Sequence, residues 1–167
     1  MSFALDSFNF GIVYKYRDVF LNGVLTTLEI ASVCLVLSVF FGIFVALMRM
    51  SKSAFLWRPA AAYIQFIRAT PLLMQIYLVY YGLPALFAFG KNINQLQTGL
   101  IALTIHTTPY MAEIIRAGID SIPRGQFEGA MSVGMSPFQR MLHVVLPQAL
   151  ANVTPPLIGQ AAILIKD

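Results

Sequence analysis

The sequence has few charged residues for its length. Charged side chains make up 11% of its 167 residues, whereas soluble domains carry about 25%. Hydrophobic residues make up 58% of the chain, and its mean hydropathy is +0.74. These values indicate that water is not the main solvent of the folded surface, and they favour an all-α membrane protein.

Several residue patterns that mark other classes of protein are missing. Cys34 is the only cysteine, so the sequence offers no disulfide framework and no thiolate metal site, and we expect Cys34 to serve as a small packing residue. The basic residues form no stripe of the kind that nucleic-acid binding requires. No phosphate-binding G-x-x-x-x-G-K and no G-x-S-x-G nucleophile motif occurs. His106 and His143 have no carboxylate or cysteine at ligand spacing, so we expect no metal site.

The N-terminal segment does not resemble a cleaved signal peptide. Residues 1–22 mix aromatic and charged side chains, with no basic region ahead of a short apolar core. Phenylalanine and tyrosine rings suit the boundary between lipid and water. We therefore predict a lead-in at the membrane surface over 1–22.

Three long stretches carry no charge: Ile30–Met48, Ala69–Gly90 and Asn92–Ala112. At 1.5 Å per residue each is roughly 28–33 Å long, which matches a hydrocarbon core of about 30 Å. A fourth apolar segment follows Pro147 and continues to Asp167. The pattern predicts three membrane spans within 23–118 and the start of a fourth over 148–167.

The loops between these stretches differ in positive charge. Six basic residues follow the first and third spans, and three lie on the opposite side. Cytoplasmic loops are enriched in lysine and arginine. The count predicts an outside N-terminus and a cytoplasmic position for the long loop 119–147.

The loop 119–147 has the pattern of two short helices. Phe127, Ala130, Met131 and Gly134 recur at helical spacing and predict one apolar face. Gly134 suits the left-handed residue that ends a helix, and Ser136-Pro137-Phe138-Gln139 is typical of a capping box that starts another. Such a unit either docks on a cytosolic partner or packs on its own helix bundle.

The same loop carries a family resemblance. Glu128-Gly129-Ala130, Gly134 and Leu146-Pro147 stand at the spacing of the "EAA" motif of ABC importer permeases, with Gly129 where alanine is usual. Further stretches are similar to the polar amino-acid subfamily of these permeases: IRATPLLMQIYLVYYGLP, YMAEIIRAGIDSIPRGQFEGA and VLPQALANVTPPL. The resemblance covers residues 21–167.

The resemblance implies a fold and a mechanism. The expected fold is the type I ABC importer permease, with four of five core helices visible and the final helix beyond Asp167. The residues that would couple the chain to a separate ATPase are Glu128, Gly129, Ala130, Gly134, Leu146 and Pro147. The implied partners are an ATPase pair that binds ATP and magnesium, a second permease subunit, identical or related, and a periplasmic substrate-binding protein. The chain itself would be a non-enzymatic subunit of the bacterial inner membrane, with no cofactor of its own.

The sequence leaves alternatives open for the substrate and for the class of protein. The resemblance favours a polar amino acid, and another small solute such as methionine, a metal chelate or an oxyanion is the alternative. An intramembrane hydrolase using a serine and His106 is a second class, although no nucleophile motif supports it. A structural scaffold is a third, and it leaves the capped helical loop unexplained.

Five residues in or near the spans are candidates for the substrate path. Arg68 stands at the start of the second uncharged stretch and Glu113 at the end of the third, so Glu113 pairs either with Arg68 or with Arg116 one turn away. His106 either faces the path or hydrogen-bonds across helices. Lys166 and Asp167 either line the path or pair at a helix end.

Overall fold

The computed structural model describes residues 10–87, 90 and 92–166, and these form helices and no strand. The all-helical class is therefore confirmed. A single π-helical turn, Met141–Val145, precedes the last helix. In chain order the helices are α1 (Phe10–Lys15), α2 (Arg17–Met50), α3 (Ala54–Ala69), α4 (Leu72–Leu86), α5 (Gln95–Asp120), α6 (Arg124–Ser132), α7 (Pro137–Arg140) and α8 (Leu146–Lys166).

Helices α2 and α5 form the centre of the bundle. Small residues on one stripe of α2 are buried, and they let the backbone of α5 approach closely, as is typical of membrane helices; they are Ala31, Cys34, Ser38, Gly42 and Ala46. A Cβ atom on Gly42 would lie 2.7 Å from Cβ of Met111. Sγ of Cys34 lies 3.3 Å from Oγ1 of Thr104, which confirms the packing role expected for this cysteine.

These contacts also set the direction of the helices. Cys34 contacts Thr104, and farther along both helices Gly42 contacts Met111, so α2 and α5 run parallel. Leu164 packs near Cys34, whereas Val153 packs on Gly118, so α8 runs antiparallel to both. The turn after α2 and the loop after α5 therefore lie at the same end of the bundle.

The second uncharged stretch does not form one continuous helix. The backbone at Thr70 is extended, with φ −109° and ψ 139°, because a following proline disfavours the α conformation. Pro71 is the N-cap residue of α4, which begins at Leu72. The uncharged stretch that begins at Ala69 therefore begins at the last residue of α3, and Arg68 lies in the final turn of that helix.

Helix lengths can be compared with the predicted spans. Among the described residues, Arg17–Met50 and Pro137–Lys166 are long and apolar enough to cross a membrane, and Leu72–Leu86 is a shorter apolar helix. Helix α2 begins six residues before the predicted boundary at 23, so the described part of the lead-in is helical. Residues 1–9 lie outside the described part.

Candidate functional site

The first helix of the loop ends at a glycine. Gly134 has φ 77°, and it is the one residue with positive φ among those described. The N–H of Gly134 donates to Met131 O at 2.9 Å, and the N–H of Met135 donates to Ala130 O at 3.1 Å. This pair of bonds is a Schellman motif, which closes a helix C-terminus. The prediction of a left-handed glycine at this position is confirmed.

The second helix starts at the predicted capping box. Oγ of Ser136 accepts from the N–H of Gln139 at 3.3 Å, and Oε1 of Gln139 accepts from the N–H of Ser136 at 2.9 Å. Pro137 occupies the first helical position, where its missing N–H leaves no bond unmade. The chain thus reverses between α6 and α7 within a few residues.

One face of α6 packs against the bundle. Ala130 is buried, and Phe127 packs on a cluster formed by Ile122, Val145 and Ala149. These contacts attach the loop to the start of α8. The predicted apolar face is correct for Phe127 and Ala130.

Other apolar side chains of the loop are exposed. Met131, one turn after Phe127 on α6, is 52% exposed. Val133 and Phe138 are 71% and 74% exposed. Contiguous exposed apolar side chains mark interaction sites in folded proteins. We call this surface the outer face; it consists of Met131, Val133, Phe138, Met141 and Leu142.

The remaining motif residues flank this surface. Glu128 and Gly129 are exposed on α6, and a Cβ atom on Gly129 would meet nothing within 4 Å. Leu146 and Pro147 are exposed in the first turn of α8. Because Pro147 has no N–H and its ring crowds the preceding turn, the wider π-helical turn before it gives the ring room.

A cavity of about 730 Å³ lies between the end of α3, the second half of α5 and α8. Its polar wall comes from all three helices and brings together two of the sequence candidates, Arg68 and Glu113. The sequence did not single out three further polar lining residues: Tyr110, Asn152 and Gln160.

The two charged candidates in this cavity have different partners. Glu113 accepts two hydrogen bonds from Arg116, at 3.3 Å from Nε and 2.8 Å from Nη2, so the pairing within α5 is the one that forms. Arg116 also bonds Asp120 at 2.6 Å. Arg68 has no carboxylate within 4.0 Å in the described part of the chain, and its guanidinium lies 5.5 Å from the ring centre of Tyr110.

The α8 wall of the cavity has backbone acceptors. Pro155 and Pro156 have no N–H, so the carbonyl groups of Ala151 and Asn152 lack the usual helical donor. All four residues line the cavity. The Asn152 amide donates to Oγ of Ser121 at 2.9 Å. The cavity therefore offers a cation on one wall and oxygen acceptors on another.

His106 hydrogen-bonds across helices, as one of its two predictions stated. Its Nδ1 lies 3.1 Å from Oε1 of Gln75 on α4, and its ring centre lies 5.3 Å from that of Tyr110. Nε2 of Gln75 donates to Ile67 O at 2.8 Å and to Thr70 O at 3.0 Å. Sequence reasoning missed Gln75. The signal that could have identified it is a polar amide within an uncharged stretch, five residues after Thr70 and its following proline.

Lys166 lies far from the cavity. It is exposed at the end of α8, and its neighbour Ile165 lines a groove with Val24 and Leu28 of α2. Lys166 is therefore near the N-terminal end of the uncharged part of α2. Asp167 lies outside the described residues. No group of three or more His, Cys, Asp or Glu side chains suited to a metal occurs within 10–87, 90 and 92–166.

Similar proteins agree with this architecture. The chain is 40% identical over 160 residues to the Vibrio harveyi protein named "Probable amino-acid ABC transporter permease protein PatM", covering 96% of this chain and 72% of that one. It is 39% identical to "Probable glutamine ABC transporter permease protein GlnM" of Bacillus subtilis (strain 168), covering 95% and 72%.

Solved structures show the same arrangement of helices. A crystal structure of an amino acid ABC transporter with histidines matches with a TM-score of 0.86 at 39% identity, covering 95% of this chain and 72% of that one. The MetNI methionine ABC transporter in an inward-facing conformation matches with a TM-score of 0.74 at 22% identity, covering 91% and 72%, which shows the fold alone.

A family model covers most of the chain. Residues 38–167 match the model described as binding-protein-dependent transport system inner membrane component. Together with the helix arrangement and the capped loop, this match shows that the chain belongs to that family, the membrane-embedded permeases of ABC transporters, which are transport subunits and not enzymes by themselves.

Proposed function

We propose that this chain is the membrane subunit of an ATP-driven importer for a polar amino acid that a periplasmic binding protein delivers. Relatives named for amino-acid and glutamine transport, at 40% and 39% identity, support this substrate class over methionine, a metal chelate or an oxyanion. The similar solved structure is also an amino acid transporter.

The outer face of the loop is the observation that carries the proposal. It presents Val133 and Phe138 at 71% and 74% exposure on a unit that two capping motifs hold in shape. Apolar side chains on a rigid protrusion fit a groove on another protein. The partner is an ATPase subunit that binds ATP and magnesium, and Glu128 lies at the edge of this contact.

The α6–α7 unit is also suited to transmit movement. Phe127 and Ala130 attach it to Val145 and Ala149, so displacement of the loop displaces the start of α8. In this proposal, closure of two ATPase subunits rocks two permease subunits between inward- and outward-facing states. Glu128, Gly129, Ala130, Gly134, Leu146 and Pro147 form the coupling segment.

The loop faces the cytoplasm and the N-terminus lies outside in this proposal. Because α2 and α5 run parallel, the cations after both helices lie at one end of the bundle. The excess of lysine and arginine at that end agrees with the positive-inside rule. The protein would reside in the bacterial inner membrane.

The substrate path, in this proposal, passes the cavity between α3, α5 and α8. Arg68 suits a carboxylate, and the carbonyl groups of Ala151 and Asn152 suit an ammonium group. Glu113 and His106 position neighbours rather than bind substrate, because Arg116 and Gln75 already engage them. Lys166 is assigned to a more distant part of the path, and Asp167 stays a sequence-based candidate for it.

Coupling can be tested at Gly134 in the assembled transporter. A β-branched residue is strained at φ 77°, so Gly134→Val should distort the reversal between α6 and α7. We expect loss of both transport and binding-protein stimulation of ATP hydrolysis. Gly125→Ala is the matched control, since that glycine lies in α6 outside the coupling segment with open space around it, and it should leave both activities intact.

The outcomes separate the parts of the proposal. Unchanged stimulation and transport in Gly134→Val would contradict the coupling role. The substrate is tested separately, by uptake of labelled glutamine, arginine and histidine into vesicles that contain the complex and its binding protein. Uptake of methionine or an oxyanion in place of all three would contradict the amino-acid assignment while leaving the coupling result standing.

A further inference from the structure

The turn between α2 and α3 places two arginines at one tryptophan ring and carries a third cation. The guanidinium carbon of Arg49 lies 5.9 Å from the ring centre of Trp57, and that of Arg58 lies 5.7 Å from the same centre. Lys52 is exposed in the turn between them. We call Arg49, Lys52, Trp57 and Arg58 the turn cluster.

The positive charge of the turn cluster is not balanced within the described part of the chain. None of its three cations has a carboxylate oxygen within 4.0 Å there. The sequence has no acidic residue between Glu29 and Glu113, and Glu113 is already bonded twice by Arg116. Like charges close together repel each other. The cluster therefore has no ion pair of its own among the described residues, and Glu113 acts on Arg49 only from beyond 4.0 Å.

The cluster lies at the edge of the hydrocarbon layer. Arg49 immediately follows the uncharged stretch Ile30–Met48, whose length is roughly that of the hydrocarbon core. Trp57 is half-buried, and tryptophan is enriched at the level of lipid headgroups. Phe55, in the same first turn of α3, is 86% exposed. A cationic cluster with apolar rings at this depth meets both a phosphate and an acyl chain.

We propose that the turn cluster binds the phosphate of an anionic phospholipid, such as phosphatidylglycerol. Arg49 and Arg58 offer planar sets of N–H donors that match phosphate oxygens, and Lys52 adds a third charge. Phe55 and Trp57 contact the upper part of the acyl chains. A free phosphate ion shares the headgroup chemistry but gains nothing from these two apolar rings, so the lipid is the occupant favoured by the structure.

Trp57 provides a local probe, because it is the only tryptophan of the 167 residues. The assembled transporter is placed in nanodiscs that contain either brominated phosphatidylglycerol in unbrominated phosphatidylcholine or the reverse. Bromine quenches tryptophan fluorescence at short range, so the two mixtures report which lipid lies beside the ring. A parallel sample with Trp57→Phe is subtracted to remove the signal of every other tryptophan in the complex.

We expect brominated phosphatidylglycerol to quench Trp57 more strongly than brominated phosphatidylcholine at equal mole fraction. Lys52→Gln and Arg58→Gln should each lower the relative affinity for the anionic lipid about fivefold, the size expected for one cation at an anionic surface. Arg58→Lys should retain the preference. Arg140→Gln removes a positive charge from α7, outside the turn cluster, and is the control. It should leave the preference for phosphatidylglycerol unchanged.

Three results would overturn the proposal. Equal quenching by the two lipids would show no anionic preference. Loss of the preference on addition of millimolar inorganic phosphate at constant ionic strength would assign the cluster to free phosphate. A preference present in the isolated permease and absent from the complex would show that a partner protein covers the cluster. Circular dichroism of each variant identifies any that fails to fold, and for such a variant Arg49→Gln supplies the charge deletion.

Discussion

Nδ1 of His106 lies 3.1 Å from Oε1 of Gln75, and the same amide holds the break between α3 and α4. Nε2 of Gln75 faces carbonyl oxygens, so it donates, and Oε1 is left to accept from His106. Nδ1 of His106 is therefore the donor of this bond. Three helices meet in this one set of hydrogen bonds.

The bond between Gln75 and His106 should contribute measurably to stability. We expect a double-mutant cycle of Gln75→Leu and His106→Leu to give a coupling of about 0.6 kcal/mol, and at most about 1.7 kcal/mol, the range for hydrogen bonds between membrane helices. The measurement is the free energy of unfolding in mixed micelles. Strictly additive single-mutant effects would show that the two residues stabilise the fold independently.

Close packing of α2 on α5 should make Gly42 intolerant of a side chain. An added Cβ atom would lie 2.7 Å from Cβ of Met111 and 3.2 Å from the backbone nitrogen of Ala112, so the helices must separate. We expect Gly42→Ala to lower the free energy of unfolding by about 1–3 kcal/mol. Gly23→Ala is the control, because nothing lies within 4 Å of its Cβ position. Equal stability of the two variants would contradict this packing.

Charge-reversal variants should show that Glu113 forms its ion pair with Arg116 and not with Arg68. In an Asp120→Asn background, Glu113→Arg lowers the free energy of unfolding by less than about 1 kcal/mol, since both partners are partly exposed. Adding Arg116→Glu should restore part of this loss, whereas adding Arg68→Glu should not. The background removes the carboxylate that would repel a glutamate at position 116. Rescue by Arg68→Glu would refute the assignment.

Phe138 should be required for binding of the ATPase. Its side chain belongs to the outer face and is 74% exposed, so Phe138→Asp should leave the permease folded. We expect at least a tenfold weaker affinity for the ATPase, roughly 1.4 kcal/mol, measured by co-purification or surface plasmon resonance. Phe138→Leu keeps an apolar side chain and should retain most of the binding. Normal affinity in Phe138→Asp would place the ATPase elsewhere.

Arg68 should affect transport without affecting coupling. Arg68→Gln removes the cation of the cavity, so we expect slower uptake with normal stimulation of ATP hydrolysis by the binding protein. Arg68→Lys keeps the charge and should recover part of the uptake rate. Loss of stimulation in parallel with uptake would instead indicate a structural role at the end of α3.

The features of the loop that were predicted correctly are local ones. Gly134, Ser136 and Gln139 act on backbone groups no more than a few residues away, so their types and spacing are sufficient to predict the turn and the cap. Whether an apolar side chain of α6 is covered depends on the neighbouring helices: Phe127 packs near the start of α8, whereas Met131, one turn later, is exposed. Helical spacing alone does not determine which of the two is covered.

The partners of charged and polar residues were harder to predict. For Glu113 the sequence offered two arginines, and the one on the same helix forms the bond. The break at Thr70 was missed because hydropathy does not register a change of backbone direction within an uncharged stretch. Gln75 on the next helix hydrogen-bonds the backbone at that break. Tyr110, Asn152 and Gln160 become neighbours only when α5 and α8 pack.

The sequence by itself determined the solvent and the capped loop, because these depend on composition and on contacts close in the chain. Only the tertiary structure decided which small residues of α2 meet α5, where Arg68 lies, and which groups share the cavity. These contacts are between residues far apart in sequence. They depend on the close approach of helix backbones at Gly42 and Gly118.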